Sequence, residues 1–318
     1  MLPDGRLLGV HLPLGAGMVK AADRAREIGA TVIQIFSDNP TAWHRRADAP
    51  RELPAFRARL ADHGIGTLAI HAAYLINLAG SDQEFYERSI DVLAHELSTA
   101  PAFGARFVNV HIGSHRGAGA EAGTSRVADA VARILCGPAR DVVDGPMLLL
   151  ENSAGGGFGL GASIDEIGGI IDAIDARGVP RTRLGICLDT AHLWGAGYRI
   201  SAPAEIDSLL AQFDRLIGLD RLAMVHVNDS RAPMGSNIDR HQHVGAGEIG
   251  PLGMGHLLRH PRLAHIAFVI ETPGMDEGYD AINLKRAIDL AAGRPLDSLP
   301  PEALEMKGTR ARSAPRGD

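Results

Sequence analysis

Eight short runs of β-branched and aliphatic residues recur along the chain, at residues 7–12, 31–36, 67–70, 107–111, 147–151, 184–188, 222–227 and 266–270. An Ala- and Leu-rich stretch with helical spacing follows each of them, at residues 19–28, 52–63, 83–100, 125–135, 165–176, 204–216, 252–259 and 281–292. Brief runs that are apolar throughout suit parallel strands, which helices cover on both faces. Eight strand–helix repeats therefore predict an α/β protein, a single (β/α)8 TIM barrel over residues 1–292. An open doubly wound sheet uses the same units, but no Gly-rich dinucleotide fingerprint follows the first run. Past residue 293 the periodicity stops. GRPLDSLPPEALEMKGTRARSAPRGD, residues 293–318, is rich in Pro and Arg and is expected to be a disordered tail. Its Lys307, Arg310, Arg312 and Arg316 read as a solvated basic terminus.

A barrel of this kind builds its active site at the C-terminal ends of its strands. Six consecutive predicted strands end in a residue able to bind a metal. The third ends in His71, the fourth in His111, the fifth in Glu151 and the sixth in Asp189, with His192 one turn later. The seventh ends in His226 and leads to Asp239 and His241, and the eighth ends in Glu271. One histidine of this kind is more often a hydrogen-bonded structural residue than a ligand. Six strands in succession are hard to assign to chance. The four carboxylates would repel one another unless cations shared the site, and the five imidazoles add neutral nitrogen donors. This mixture suits Zn2+ or Mn2+ better than Ca2+ or Mg2+, and nine donors suit two or three ions. Neighbouring divalent ions activate water and stabilise both oxygens of an in-line phosphoryl displacement, so phosphate-ester hydrolysis fits best. Metal-assisted sugar isomerisation or epimerisation on the same barrel is the alternative.

The formal charge of −6 argues against a protein that coats nucleic acid nonspecifically, though not against an enzyme with a local basic rim. Two cysteines, Cys136 and Cys187, make no disulfide framework. Neither a signal peptide nor an apolar run of about 18 residues is present, so a cytoplasmic protein with no membrane partner is expected. Cys187 lies within a buried run and reads as an inert core thiol.

CLDTAHLWGAGY, HVNDS with GSNIDRHQHVGAGEIG, and IETPGMDEGYDAINL resemble the signature segments of endonuclease IV, also called deoxyribonuclease IV. HAAYLINLAG, HIGSHRGAG and LENSAGGG resemble its earlier segments in the same order, so the likeness covers about residues 7–292. The resemblance implies a zinc-dependent endonuclease of base excision repair. Such an enzyme hydrolyses the phosphodiester 5′ to an abasic site, leaves a 3′-hydroxyl and trims blocked 3′ ends. It also implies three Zn2+ ions, with Mn2+ admissible in one site. His71 and His111 would hold the first ion, with Glu151 bridging to the second. Asp189, His226 and Glu271 would complete the second site, and His192, Asp239 and His241 the third. Glu151, Glu271 and His192 are the implied catalytic residues.

The implied partner is double-stranded DNA carrying abasic sites or blocked 3′ ends, bound by a monomer with no obligate protein partner. Tyr74 and Leu75 match the family's minor-groove wedge, and packing of that loop onto its own barrel is an equally weighted reading. Thr41 stands where the family usually has a wedge Arg, and Arg45 and Arg46 are candidate substitutes. Arg240 is a candidate phosphate contact. Trp43 reads as loop core, and His115 and His243 as supports of the ligands or phosphate contacts at most.

Overall fold

A computed structural model describes residues 2, 4–137 and 145–305. Its order begins β1 (Leu7–His11), α1 (Met18–Ile28), β2 (Val32–Ile35), α2 (Leu53–Asp62), β3 (Thr67–His71), α3 (Gln83–Phe103), β4 (Phe107–His111) and α4 (Ala120–Cys136). It continues through β5 (Met147–Glu151), α5 (Ile164–Asp175), β6 (Leu184–Asp189), α6 (Thr190–Gly195), α7 (Pro203–Leu216) and β7 (Leu222–His226). A two-stranded ribbon of β8 (Asp229–Ser230) and β9 (His241–Gln242) precedes α8 (Gly250–Arg259), β10 (Ala267–Ile270), α9 (Tyr279–Ala291) and α10 (Pro301–Glu305). Strands β1 to β7 and β10 form a closed barrel in sequence order, and β10 pairs in parallel with β1. This is the single (β/α)8 barrel that the sequence predicts. Among the described residues, no helix is long and apolar enough to cross a membrane.

Strand alternation decides what the barrel encloses. Successive side chains point to opposite faces, so every second residue faces inward. Val32, Ala69, Phe107, Leu149, Cys187, Met224, Ala267 and Val269 pack together as the interior plug. Residues of the opposite parity, such as Ile33, Ile70, Val108, Leu148 and Leu188, pack outward against the helices. Two residues on from the plug, the same parity brings up His71, Asn109, Glu151, Asp189, His226 and Glu271. The ligand-type side chains therefore face one another because of the register that buries the core.

Two departures from the sequence reading stand out. Helix α6 starts directly at the end of β6 and is too short to show a period of its own. Residues 293–305, expected to be disordered, pack onto the barrel. Arg294 pairs with Asp289 at 2.7 Å, Arg286 donates to the Asp297 carbonyl at 2.7 Å, and Leu296 packs against the core. Ala303 is fully buried, and its carbonyl accepts from His243 Nε2 at 2.9 Å. The anchors are single residues spaced irregularly, which leaves no periodic signal. Lys307, Arg310, Arg312 and Arg316 lie outside the described residues.

Candidate metal centre

Glu151 sits at the centre of the barrel mouth, 1% exposed. Its Oε2 lies 3.5 Å from His71 Nε2 and 3.6 Å from His111 Nε2, while Oε1 lies 3.3 Å from His192 Nδ1 and 3.4 Å from His226 Nδ1. A second carboxylate, Glu271, places Oε2 3.1 Å from His226 Nδ1. Asp239 reaches in from the loop after β7, 3.2 Å from His192 Nε2 and 3.1 Å from His241 Nε2. Asp189 Oδ2 stands 3.8 Å from His226 Nδ1 and 3.7 Å from His241 Nε2, between the two groups. All nine residues singled out from the sequence converge. His71, His111 and Glu151 form one set of mutually close donor atoms, Asp189, His226 and Glu271 another, and Asp189, His192 and His241 a third.

Local structure explains the placement of the residues that are not at strand ends. Asp189 caps α6 by accepting from the His192 backbone N–H at 2.8 Å, which holds His192 one turn beyond it. Asp229 accepts from the backbone N–H groups of Gly247, Ile249 and Gly250 at 2.9–3.2 Å, which anchors the far end of the loop carrying Asp239, Arg240 and His241.

The hydrogen bonds fix which imidazole nitrogen faces the centre. His71, His192 and His241 each direct Nδ1 to a backbone carbonyl, of Ala72, Asn152 and Glu271 respectively, at 2.8, 2.8 and 2.9 Å. A carbonyl only accepts, so Nδ1 carries the proton and Nε2 turns its lone pair inward. His226 is reversed. Its Nε2 faces Gln34 Oε1 at 3.0 Å, leaving Nδ1 inward. Gln34 cannot be flipped, since its Nε2 already donates to Glu271 Oε1 at 2.5 Å. Two of the inward nitrogens, His226 Nδ1 and His241 Nε2, are buried without a hydrogen-bond partner. Buried donors or acceptors are rarely left in this state unless an ion or water satisfies them. The residues present thus fit divalent cations.

The electrostatics point the same way. Burial would raise the Glu151 carboxyl, yet His226 and His111 hold it well below its ordinary range. Burial would lower His241, but Asp239 and Asp189 push it up to about 10. Against the same burial effect, Asp189 and Asp239 raise His192, and Cys187, Glu271 and Glu151 raise His226. This pocket calls for positive charge. Cys187 also stands within ligand distance of Glu151 and His226, but burial pushes its thiol up to about 12.

A ring of supporting amides escaped the sequence reading. Asn109 donates to Glu151 Oε2, Asn228 donates to Asp189 Oδ2 at 2.6 Å, and the Asn228 Oδ1 accepts from the Glu271 N–H at 2.8 Å. His11 contacts Glu271 Oε1 at 3.2 Å through Nδ1. The signal was available: Gln34 and Asn109 share the inward parity of the plug, and a buried polar residue at such a position needs a partner.

At the rim, Tyr74 is 50% exposed beside His71 and His111, while Leu75 is half-buried. Arg240 is exposed, and its charge adds to burial in holding the neighbouring Arg231 below its ordinary range. Thr41 is exposed and bonded to Asn39 Oδ1. Arg45 is not available as a substitute for a wedge residue. Its side chain is 7% exposed and pairs with buried Glu96 at 3.2 Å. Arg46 remains exposed, 3.6 Å from Asp38. Trp43 packs edge-on against Phe85, as loop core should. His115 and His243 have structural partners instead of supporting ligands. His115 accepts from the Gly119 N–H at 3.0 Å, and His243 holds Ala303 and Asn283. Among the described residues, all three non-glycine residues with left-handed backbone, Arg116, Phe158 and Asn237, lie on loops at this same end of the barrel. Strain of this kind collects at working surfaces.

The fold and site together define a xylose isomerase-like TIM barrel, and residues 22–293 match the family of that description. A probable endonuclease 4 of Methanoculleus marisnigri is 39% identical over 285 residues, covering 90% of this chain and 99% of that protein. One from Natranaerobius thermophilus is 41% identical over 279 residues, covering 88% and 95%. Among solved structures, endonuclease IV from Thermus thermophilus superposes with a TM-score of 0.77 at 35% identity, covering 90% of this chain and 99% of that one. The chain belongs to the endonuclease IV family. A D-tagatose 3-epimerase-like protein, with a TM-score of 0.65 at 15% identity, shares the fold alone.

Proposed function

We propose that this chain is a zinc-dependent apurinic/apyrimidinic endonuclease, cleaving the phosphodiester 5′ to an abasic site and trimming blocked 3′ ends. The observation that carries the reading is the convergence of four imidazoles on the Glu151 carboxylate, with Asp189, Asp239 and Glu271 closing the ring. His71, His111 and Glu151 would hold one ion, Asp189, His226 and Glu271 a second, and His192, Asp239 and His241 a third, with Glu151 shared. Zn2+ suits the donors, and Mn2+ is admissible in one group. Ions bound there supply Lewis acidity and lower the pKa of water at a phosphate ester.

The chain's own residues do the rest. Gln34, Asn109 and Asn228 hold the carboxylates in place, so the site does not reorganise during reaction. Arg240, whose exposed guanidinium can pair with two oxygens, contacts a backbone phosphate. Tyr74 and Leu75 enter the minor groove and replace stacking lost where the duplex bends.

The test is a labelled duplex with one stable abasic analogue, with metal counted on the same sample. Incision on the 5′ side by protein holding about three ions, abolished by chelation, supports the reading. Metal-loaded protein that leaves the duplex intact overturns it. A second prediction concerns the rim. Thr41 is exposed and its hydroxyl is tied, among the described residues, to Asn39 alone, so Thr41→Arg has room to reach DNA. Abasic-duplex affinity should tighten about tenfold, the scale of one charge-assisted contact. Unchanged affinity in a binding titration would show that Arg46 or another residue already fills the role.

A further inference from the structure

On the outer helical layer, away from the barrel mouth, Asp207 of α7 faces two histidines of the next helical segment. His256 Nε2 lies 2.7 Å from Asp207 Oδ1, and His260 Nε2 lies 3.2 Å from the same oxygen. The two histidines are four positions apart, so successive turns bring them onto one face. Their rings meet edge-on with centroids 5.5 Å apart. One donor atom from each residue lies within 4.8 Å of the other two. Two imidazoles and a carboxylate leaving a position for water are the composition of a tetrahedral site.

We infer that Asp207, His256 and His260 form a separate divalent-cation site of the Zn2+, Ni2+ or Cu2+ class, which ties α7 to the end of α8.

The side that must be rigid is rigid. Arg6 donates to the carbonyls of Leu258, Arg259 and His260 at 3.0, 3.0 and 2.8 Å, clamping the chain that carries His260. His260 itself is 8% exposed, whereas Asp207 is exposed and free to adjust. Adjustment is modest. Donors about 2.0–2.1 Å from a tetrahedral ion stand roughly 3.3 Å apart, close to the His260–Asp207 spacing, and the shorter His256–Asp207 contact must open. The guanidinium of Arg262, whose charge bears on His260, is engaged by Asp214 at 2.5 Å, so its charge is largely offset. Occupancy replaces the two histidine contacts to Asp207 with metal bonds and also gives up a long hydrogen bond from the Arg262 N–H to His260 Nδ1 at 3.3 Å, because Nδ1 must then carry the ring proton. Imidazole-rich donors favour these ions over Mg2+ or Ca2+.

The site shares no residue with the barrel mouth, so its fate is independent of the nuclease reading. The test counts Ni2+ held by the full chain after equilibration and desalting, in the wild type, His256→Ala and Asp207→Asn. Both substitutions fall on side chains with access to water, so neither opens a core cavity. The wild type is expected to hold one more Ni2+ per chain than either variant. Added Ni2+ should also raise its thermal midpoint, an effect both variants lose while their incision of abasic duplex is unchanged. Equal uptake by the wild type and either variant would overturn the three-donor site.

Discussion

Glu151→Gln is expected to lower turnover at least about a thousandfold, the scale of removing a principal electrostatic element from a water-excluded site. The substitution keeps the shape but removes the charge that four imidazoles face. It also presents an amide N–H₂ to His71 Nε2 and His226 Nδ1, whose lone pairs point inward, or to Asn109, which already donates to that carboxylate. Counting metal on the purified variant should show at least one ion fewer than in the wild type. A variant with full metal content and near-normal incision would mean that Glu151 only fills space.

The second large effect concerns the frame. Gly9 faces the barrel interior from β1, paired with Val32 of β2. A Cβ at this position would lie 1.5 Å from the Val32 carbonyl oxygen and 2.6 Å from its carbon. Those are backbone atoms of a hydrogen-bonded neighbour, so no rotamer change relieves the clash, and the strands must part. Gly9→Ala should cost more than about 4 kcal/mol, beyond the usual range for a core substitution. Gly66→Ala is the control, since a Cβ there meets nothing within 4 Å. Urea midpoints should leave the control near the wild type and Gly9→Ala unfolded or insoluble. Equal midpoints would show that β1 and β2 tolerate a wider spacing than their register implies.

The sequence made the barrel legible because strands buried on both faces leave unbroken apolar runs, and because polar residues at their ends stand out against them. His71, Glu151 and Glu271 were visible on those grounds. His11 is less so, because Leu12 follows it and the apolar run extends one residue past the end of the strand. Gln34 and Asn109 were hidden in mid-strand, where only the inward parity of the plug marks them. Arg45 shows the opposite limit. Its partner Glu96 is on α3, beyond β3, and no local pattern announces a pair made between such distant segments. The docking of residues 293–305 was hidden for a similar reason, since it depends on His243 and Arg286, not on any repeat within the segment.

The nine side chains at the mouth come from six staves of the barrel and are separated by up to more than half the chain. Ions held among them would act as rivets through a hoop, joining positions that the unfolded polymer brings together only at a loop-closure cost. Each stave could then loosen only if its neighbours also released their ligands. Resistance to proteolysis would rise across the barrel as a whole, including stretches far from the catalytic end, and would disappear across the same stretches when the ions are withdrawn.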